Sequence, residues 1–293
     1  MINVNLRGRA GNQLFIYALA RKLQLENECQ VIINDTAQKE ERPDFVYDLD
    51  QFNISEDVKH VDNRRFPYYA DNDFLPLKAM RKLAPNFTYS FLQRWNTFLW
   101  LGTTYKPLNV DFSKDAYIDG FWQSYKYFDD IKEVLQKEIT PKLGIPTEDM
   151  PLYNEIINSE SVCVTVRRGD FLSSENSKMY YLCDEVYFKK CIAQMSKLVP
   201  NAKWFIFSDD VEWAKSTLKF PGEVFSESGK DSISVKLALM SACKHFIISN
   251  SSFSWWAQYL GTNPSKIVFS PSRWYANGWP DDMIMPNWNL IEV

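Results

Sequence analysis

The chain has 293 residues, enough for two domains of ordinary size. With 45% apolar and 24% charged residues it has a globular composition, which excludes wholesale disorder. A net charge of −4, with both signs mixed along the chain, argues against nucleic acid as the main partner, because that role leaves a basic face.

Ile2–Leu6 reads as a first strand. It runs into Arg7-Gly8-Arg9-Ala10-Gly11-Asn12-Gln13 and then a helical run, Leu14–Leu23. Strand, glycine loop and helix open a βα unit, in which the helix start offers unpaired N–H groups to a polar ligand. The spacing is not the dinucleotide fingerprint G-x-G-x-x-G. Cys29–Ile33 reads as the second strand, ending at Asn34-Asp35. Between about 40 and 110 the pattern weakens: Pro43, Pro67, Pro76, Pro85 and Pro107 punctuate an irregular insertion of the kind that shapes an acceptor pocket. Helices are expected near Leu75–Leu83 and Thr88–Leu101. Ala116–Asp119 reads as a short strand, followed by Gly120–Phe128 and an amphipathic helix near Asp129–Ile139. Thr140–Pro151, with three prolines and a glycine, is the candidate linker.

The segment Ser161–Asp170 reads S-V-C-V-T-V-R-R-G-D. Its β-branched apolar run stops abruptly at two arginines, as a buried strand does when it ends in a loop. Ligands of open α/β sheets bind just outside the carboxyl ends of strands, and paired guanidinium forks there suit a phosphate. An isolated R-R-x-D would equally be a surface salt-bridge pair. Further strands are expected at Trp204–Phe207, Glu223–Phe225, Phe246–Ser249 and Ile267–Phe269, with helices near Glu185–Leu198, Val211–Leu218, Ser232–Cys243 and Trp255–Leu260. That alternation implies parallel pairing in a doubly wound sheet. The fold expected is therefore α/β: two Rossmann-like domains facing each other across a cleft, residues 1–150 on the acceptor side and 151–293 binding the donor.

Two more strand ends carry polar clusters, Ser208-Asp209-Asp210 and Ser249–Ser254. Asp209-Asp210 reads either as a metal carboxylate pair or as the N-cap and first turn of the next helix, and the cap is preferred. The serines serve equally as caps or as an anion site at a helix N-terminus. Five scattered cysteines without C-x-x-C spacing indicate neither a disulfide frame nor a zinc site, and fit free thiols in a reducing compartment. Two histidines, His60 and His245, argue against a His-based metal site or nucleophile triad. The aromatic content of 15% fits a bulky core or a ring-lined sugar site, and composition does not separate the two. The N-terminus resembles neither signal peptide nor anchor, and no apolar run approaches the ~18 residues of a spanning helix. The cytoplasm is the expected location, with contact at the inner face of the membrane left open.

Gly8–Phe15, Gly120–Phe128, Arg167-Arg168-Gly169-Asp170, Phe207–Asp210 and Asn250–Trp256 together, in this order, resemble the family-11 glycosyltransferases, the bacterial and animal α-1,2-fucosyltransferases. The resemblance spans residues 2 to about 275. It implies a GT-B architecture, GDP-fucose as donor, inversion at the anomeric carbon, and no cofactor or metal. The first arginine of the family's H-x-R-R-x-D motif falls on Arg167, implied to bind the donor diphosphate and stabilise the departing charge. Arg168 is the second arginine and Asp170 the acid that fixes the loop. The loop facing the sugar points to Gly11 and Asn12, and the turn near the diphosphate to Ser251, Ser252 and Phe253.

Two positions depart from the pattern. Thr165 replaces the motif's histidine, and Lys236 replaces an aspartate five residues before Ser241. Related enzymes use both around the guanine base. Asp35, Asp170 and Glu175 are candidate general bases. The expected partners are a nucleotide sugar and an oligosaccharide or lipid-linked glycan. The alternatives are a transferase of the same fold using another nucleotide sugar, and a non-catalytic protein that binds a glycan or nucleotide sugar.

Overall fold

Two parallel β-sheets, each flanked by helices, account for the described residues of the computed structural model: 1–63, 66–67, 74–169, 180, 182–276 and 282–293. The chain divides into Met1–Glu138 and Ile139–Val293. The segment after Glu138 belongs to the second unit. Its proline-rich stretch leads straight into helix α6, Met150–Ile157, where Pro151 sits in the first turn, a position that lacks a backbone partner for its N–H in any case.

In the first unit, β1 (Ile2–Asn5), β2 (Val31–Asn34), β3 (Val58–Val61), β4 (Thr97–Trp100) and β5 (Ala116–Gly120) lie in the order β3-β2-β1-β5-β4, all parallel. β1, β2 and β4 are buried at every position, as strands covered on both faces must be. Helix α1, Ala10–Asn27, buries residues nearly all round over its first three turns. Its Tyr17 hydroxyl donates to Glu138 and accepts from the Ser55 N–H at 2.9 Å, while Arg21 pairs with Glu138 at 2.8 Å. The remaining helices are α2 (Thr36–Glu41), α3 (Leu75–Leu83), α4 (Pro85–Leu92) and α5 (Lys132–Glu138).

The helix expected over Thr88–Leu101 stops early. After α4, Asn96 adopts a left-handed φ of 53°, and its side chain bonds Asp111 and Asp115. The β-branched and aromatic run that follows then pairs with β5 instead of continuing as helix.

The second unit adds β6 (Glu160–Val166), α7 (Glu185–Leu198), β7 (Ala202–Ser208), α8 (Val211–Thr217), β8 (Val224–Ser226), α9 (Ile233–Ala242), β9 (His245–Ile247), α10 (Ser252–Leu260), β10 (Val268–Pro271) and β11 (Asn289–Ile291). Its six strands run parallel in the order β11-β10-β9-β6-β7-β8. Asp184 and Ser232 cap α7 and α9 through the N–H groups of Tyr187 and Val235. Trp204, Trp255 and Trp256 are fully buried, so these rings belong to the core. No helix among the described residues is long and apolar enough to cross a membrane.

Beneath the first sheet's carboxyl edge, Arg7 grips the fully buried Asp119 with a fork of two bonds, 2.5 and 2.9 Å long. Removing one partner of such a pair strands the other charge. Asp119→Ala is expected to lower stability by about 3–5 kcal/mol in urea unfolding; a loss under about 1 kcal/mol would place the pair with ordinary surface bridges.

Candidate functional site

The strand order of the second unit reverses at β6. The chain steps outward through β7 and β8, then returns to β9 on the other side. Loops leaving β6 and β9 therefore diverge, and ligands of open α/β sheets lie in the crevice so formed. Arg167-Arg168-Gly169 follows β6, and Ser249–Ser252 follows β9. The Thr165 hydroxyl accepts the Ser249 N–H at 3.0 Å, which ties the two strand ends together.

Asp209, just beyond β7, fastens the arginine loop. It accepts from the backbone N–H groups of Arg168 (2.9 Å) and Gly169 (3.1 Å) and pairs with the Arg167 guanidinium at 3.0 Å. Bonds to an ionised acceptor are the stronger class. A Cβ on residue 169 would stand 2.9 Å from the carboxylate of Asp209, so a glycine here admits the close approach. Asp210 plays the other part: it caps α8 through the Trp213 N–H at 3.1 Å. Of the pair read as N-cap and first turn, Asp210 is the N-cap, while Asp209 lies before the helix with its side chain turned back onto the neighbouring loop.

The two arginines are not equivalent. Arg167 keeps 31% of its side chain exposed beside Asp209. Arg168 lays its guanidinium on the Trp213 ring, 3.9 Å from the centroid, with Asp210 at 3.4 Å. A cation on an aromatic face is held by the ring quadrupole.

At the β9 loop, Ser251 precedes α10 without capping it, and Ser251, Ser252 and Phe253 are half-buried. The Asn250 side chain is used inward: its amide donates to the Trp274 carbonyl at 2.8 Å, and its oxygen accepts from the Cys183 thiol at 3.6 Å. The α10 N-terminus thus presents main-chain N–H groups and hydroxyls on the same sheet edge as Arg167.

Lys236 lies farther along that edge. Its Nζ is 2.8 Å from Glu227, a fully buried carboxylate one residue past β8 that also accepts the Ser208 N–H at 3.3 Å. Burial pushes the Glu227 carboxyl above its ordinary value of 4.5; Lys236 and Ser208 pull it back only in part.

Gly11 and Asn12 belong to the first unit, at its own reversal of strand order between β1 and β5. Both fall in the first turn of α1 and not in the loop before it; Asn12 accepts from Gln123 at 2.8 Å, so the start of α1 meets the loop after β5. Gly8 has a φ of +75°, and a side chain there would collide with Asn12. Trp122 holds a left-handed φ of 53°, a strain of about 1–3 kcal/mol of the kind that collects at functional sites. Asp35, at the end of β2, is buried against His60 (3.2 Å) and Lys39 (3.3 Å). Asp170 and Glu175 lie outside the described residues. Among those described, no three His, Cys, Asp or Glu side chains gather to hold a metal ion, and all five thiols are free.

The sequence reading missed Trp213 and Glu227. Nothing local marks either one; their roles come from Arg168 and Lys236, which the fold brings to them.

Similarity to known proteins extends over nearly the whole chain. The family model described as glycosyl transferase family 11 matches residues 1–292. An alpha-1,2-colitosyltransferase of Escherichia coli is 29% identical over 288 residues, covering 94% of this chain and 92% of that protein. The O-antigen biosynthesis glycosyltransferase WbnK of Escherichia coli is 27% identical, covering 97% and 98%. Among solved structures, the NodZ alpha-1,6-fucosyltransferase soaked with GDP-fucose superposes with a TM-score of 0.53 at 14% identity, covering 92% of this chain and 94% of that one, a likeness of fold. The two parallel-sheet units are of the GT-B type expected.

Because folding raises the affinity of Glu227 for its proton, its contribution to stability is fully present below about pH 4.5 and is lost as pH climbs through the raised value. Glu227→Gln removes that dependence. Wild type is expected to lose stability relative to this variant as pH rises from about 4 to 7, read by thermal melts across that range; parallel profiles would contradict the assignment.

Proposed function

Since the chain belongs to glycosyl transferase family 11, we propose that this glycosyltransferase moves fucose from GDP-β-L-fucose to the 2-hydroxyl of a galactoside, with inversion and without a metal. The observation that carries the reading is the Arg167 loop, fastened by Asp209 at the reversal of strand order, with the α10 N-terminus on the same edge. The α-1,2 linkage in the name of the colitosyltransferase relative and the GDP-fucose in the NodZ crystal agree with it. An acceptor in a surface polysaccharide accords with the O-antigen role in the name of WbnK.

In such a transfer the acceptor oxygen attacks the anomeric carbon from the face opposite the nucleoside diphosphate. Positive charge develops on the sugar ring and negative charge on the leaving phosphate. Arg167 is assigned to that phosphate, where a fixed donor stabilises the transition state more than the ground state. Ser251, Ser252 and the N–H groups of Ser252 and Phe253 are assigned to its other oxygens. Arg168, held on Trp213, sets the loop's shape beside Asp209 and Asp210. Gly11 and Asn12 are assigned to the sugar. Asp35 is the described candidate for taking the acceptor proton, and a dissociative path would need little help from a base.

A second reading has its own support. Thr165 and Lys236 occupy the positions assigned to the base, and each already engages a protein partner. A relative at 29% identity carries colitose in its name. The donor sugar would then be colitose or another activated deoxy sugar on the same phosphate machinery.

Arg167→Ala is expected to cut transfer by about 10²–10³-fold, the cost of one lost oxyanion donor, with the far-ultraviolet spectrum unchanged. Near-normal turnover would overturn the role of Arg167. In a melting assay with GDP, UDP, dTDP and CMP, GDP is expected to stabilise the protein most, by about 2.7 kcal/mol at a hundred times its Kd; a larger shift from another nucleotide would move the donor assignment.

A further inference from the structure

The hairpin of α3 and α4 carries surface to which the transfer proposed above assigns no residue. From Phe74 to Val110 the sequence holds Lys78, Arg81, Lys82, Arg94 and Lys106 and no aspartate or glutamate, a +5 stretch inside a chain of net charge −4. The same hairpin turns large apolar side chains outward: Leu75 is 77% exposed, Leu83 85%, Phe87 63% and Trp95 53%.

These residues are not core positions left half covered. The inner face of the hairpin is already satisfied by Leu77, Leu92 and Leu99, with Phe91 packed against them. Outside, Phe87 stacks on Phe91 at 5.8 Å, Trp95 meets Phe91 edge-on at 4.8 Å, and the Arg94 guanidinium lies 5.9 Å from the Phe91 ring. Rings spaced four residues apart therefore form one stripe, with Arg94 beside it. Lys78, Lys82 and Arg94 are exposed.

Leu, Phe and Trp interleaved with Lys and Arg, in a stretch of sequence without aspartate or glutamate, have the chemistry of a helix lying in the headgroup region of a bilayer. Its apolar side chains enter about 5–10 Å, its ammonium and guanidinium groups meet lipid phosphates, and its indole sits at the interface. In the second unit, by contrast, the exposed Val186 follows Glu185, and the exposed Leu143 lies in the loop between α5 and α6.

We propose that the outer face of the α3–α4 hairpin docks the protein on an anionic lipid surface. The inference goes beyond the transfer reaction and does not depend on the donor; where the acceptor is lipid-linked, it brings that acceptor to the enzyme.

Co-sedimentation of the full chain with vesicles tests it without any activity assay. Vesicles of phosphatidylcholine mixed with phosphatidylglycerol are expected to bind the protein about tenfold or more above phosphatidylcholine alone at low salt, with the preference collapsing at high salt. The pair Leu83→Ser with Phe87→Ser, and the pair Lys82→Glu with Arg94→Glu, are each expected to lower that binding about tenfold or more. Leu143→Ser is expected to bind as wild type, and all variants to melt as wild type. Wild type binding neither vesicle, binding both equally, or binding unchanged in either pair of variants would overturn the proposal. So would variants that bind lipid normally but lose self-association in sedimentation velocity, since a second copy would then be the occupant of the face.

Discussion

The reversal of strand order within each sheet is the constraint on which the rest of the structure depends. A parallel sheet wound outward in one direction and then the other leaves a place where two adjacent strands send their loops apart. In the second unit that place lies between β6 and β9, and in the first between β1 and β5. Every motif with recognisable chemistry follows a strand at or next to one of these places. The arginine loop and the serine turn flank one, and Asn12 and Gln123 meet across the other. Neighbouring loops there cannot cover one another, so polar side chains stay at the surface of an otherwise buried sheet.

Carboxylates then fix what the reversal exposes. Asp209 holds three donors of one loop, and Asp119 holds Arg7 in a two-bond fork. Glu227 spans the N–H of Ser208 and the ammonium of Lys236. A guanidinium or ammonium held in this way loses less freedom when it meets an anion than one sampling many rotamers in water. The same pairing gives the two consecutive arginines different work. One faces Asp209 in partial exposure, and the other is stacked on Trp213. The acidic groups thus order the cationic side chains they hold, in a protein whose overall charge is negative.

The charge of the chain is unevenly spread in a second way. The α3–α4 hairpin holds basic and apolar side chains outward while packing Leu77 and Leu92 with Leu99 of β4. It stands in the irregular insertion whose element pattern was weakest in the sequence. Scattered exposed apolar side chains are ordinary, whereas a contiguous group of them set among basic residues is the pattern of an interaction surface.

The sequence by itself determined the class of fold, because buried parallel strands must be apolar on both faces and their connections must be long enough to cross over. The runs at Val162–Val166 and Ile2–Leu6, and the helices at Leu75–Leu83 and Glu185–Leu198, were legible for that reason. So were the polar residues that interrupt each run, and with them Arg167, the serine turn and the family resemblance. The tertiary structure alone decided the strand order, which of Asp209 and Asp210 caps a helix, the seat of Arg168 on Trp213 and the partner of Lys236. It also turned Thr97–Trp100 from helix to strand and β3 from insertion to sheet. Each of these rests on a contact between residues distant in sequence, or on a neighbour whose local propensity is silent, and periodicity reports only what a segment does with its own faces.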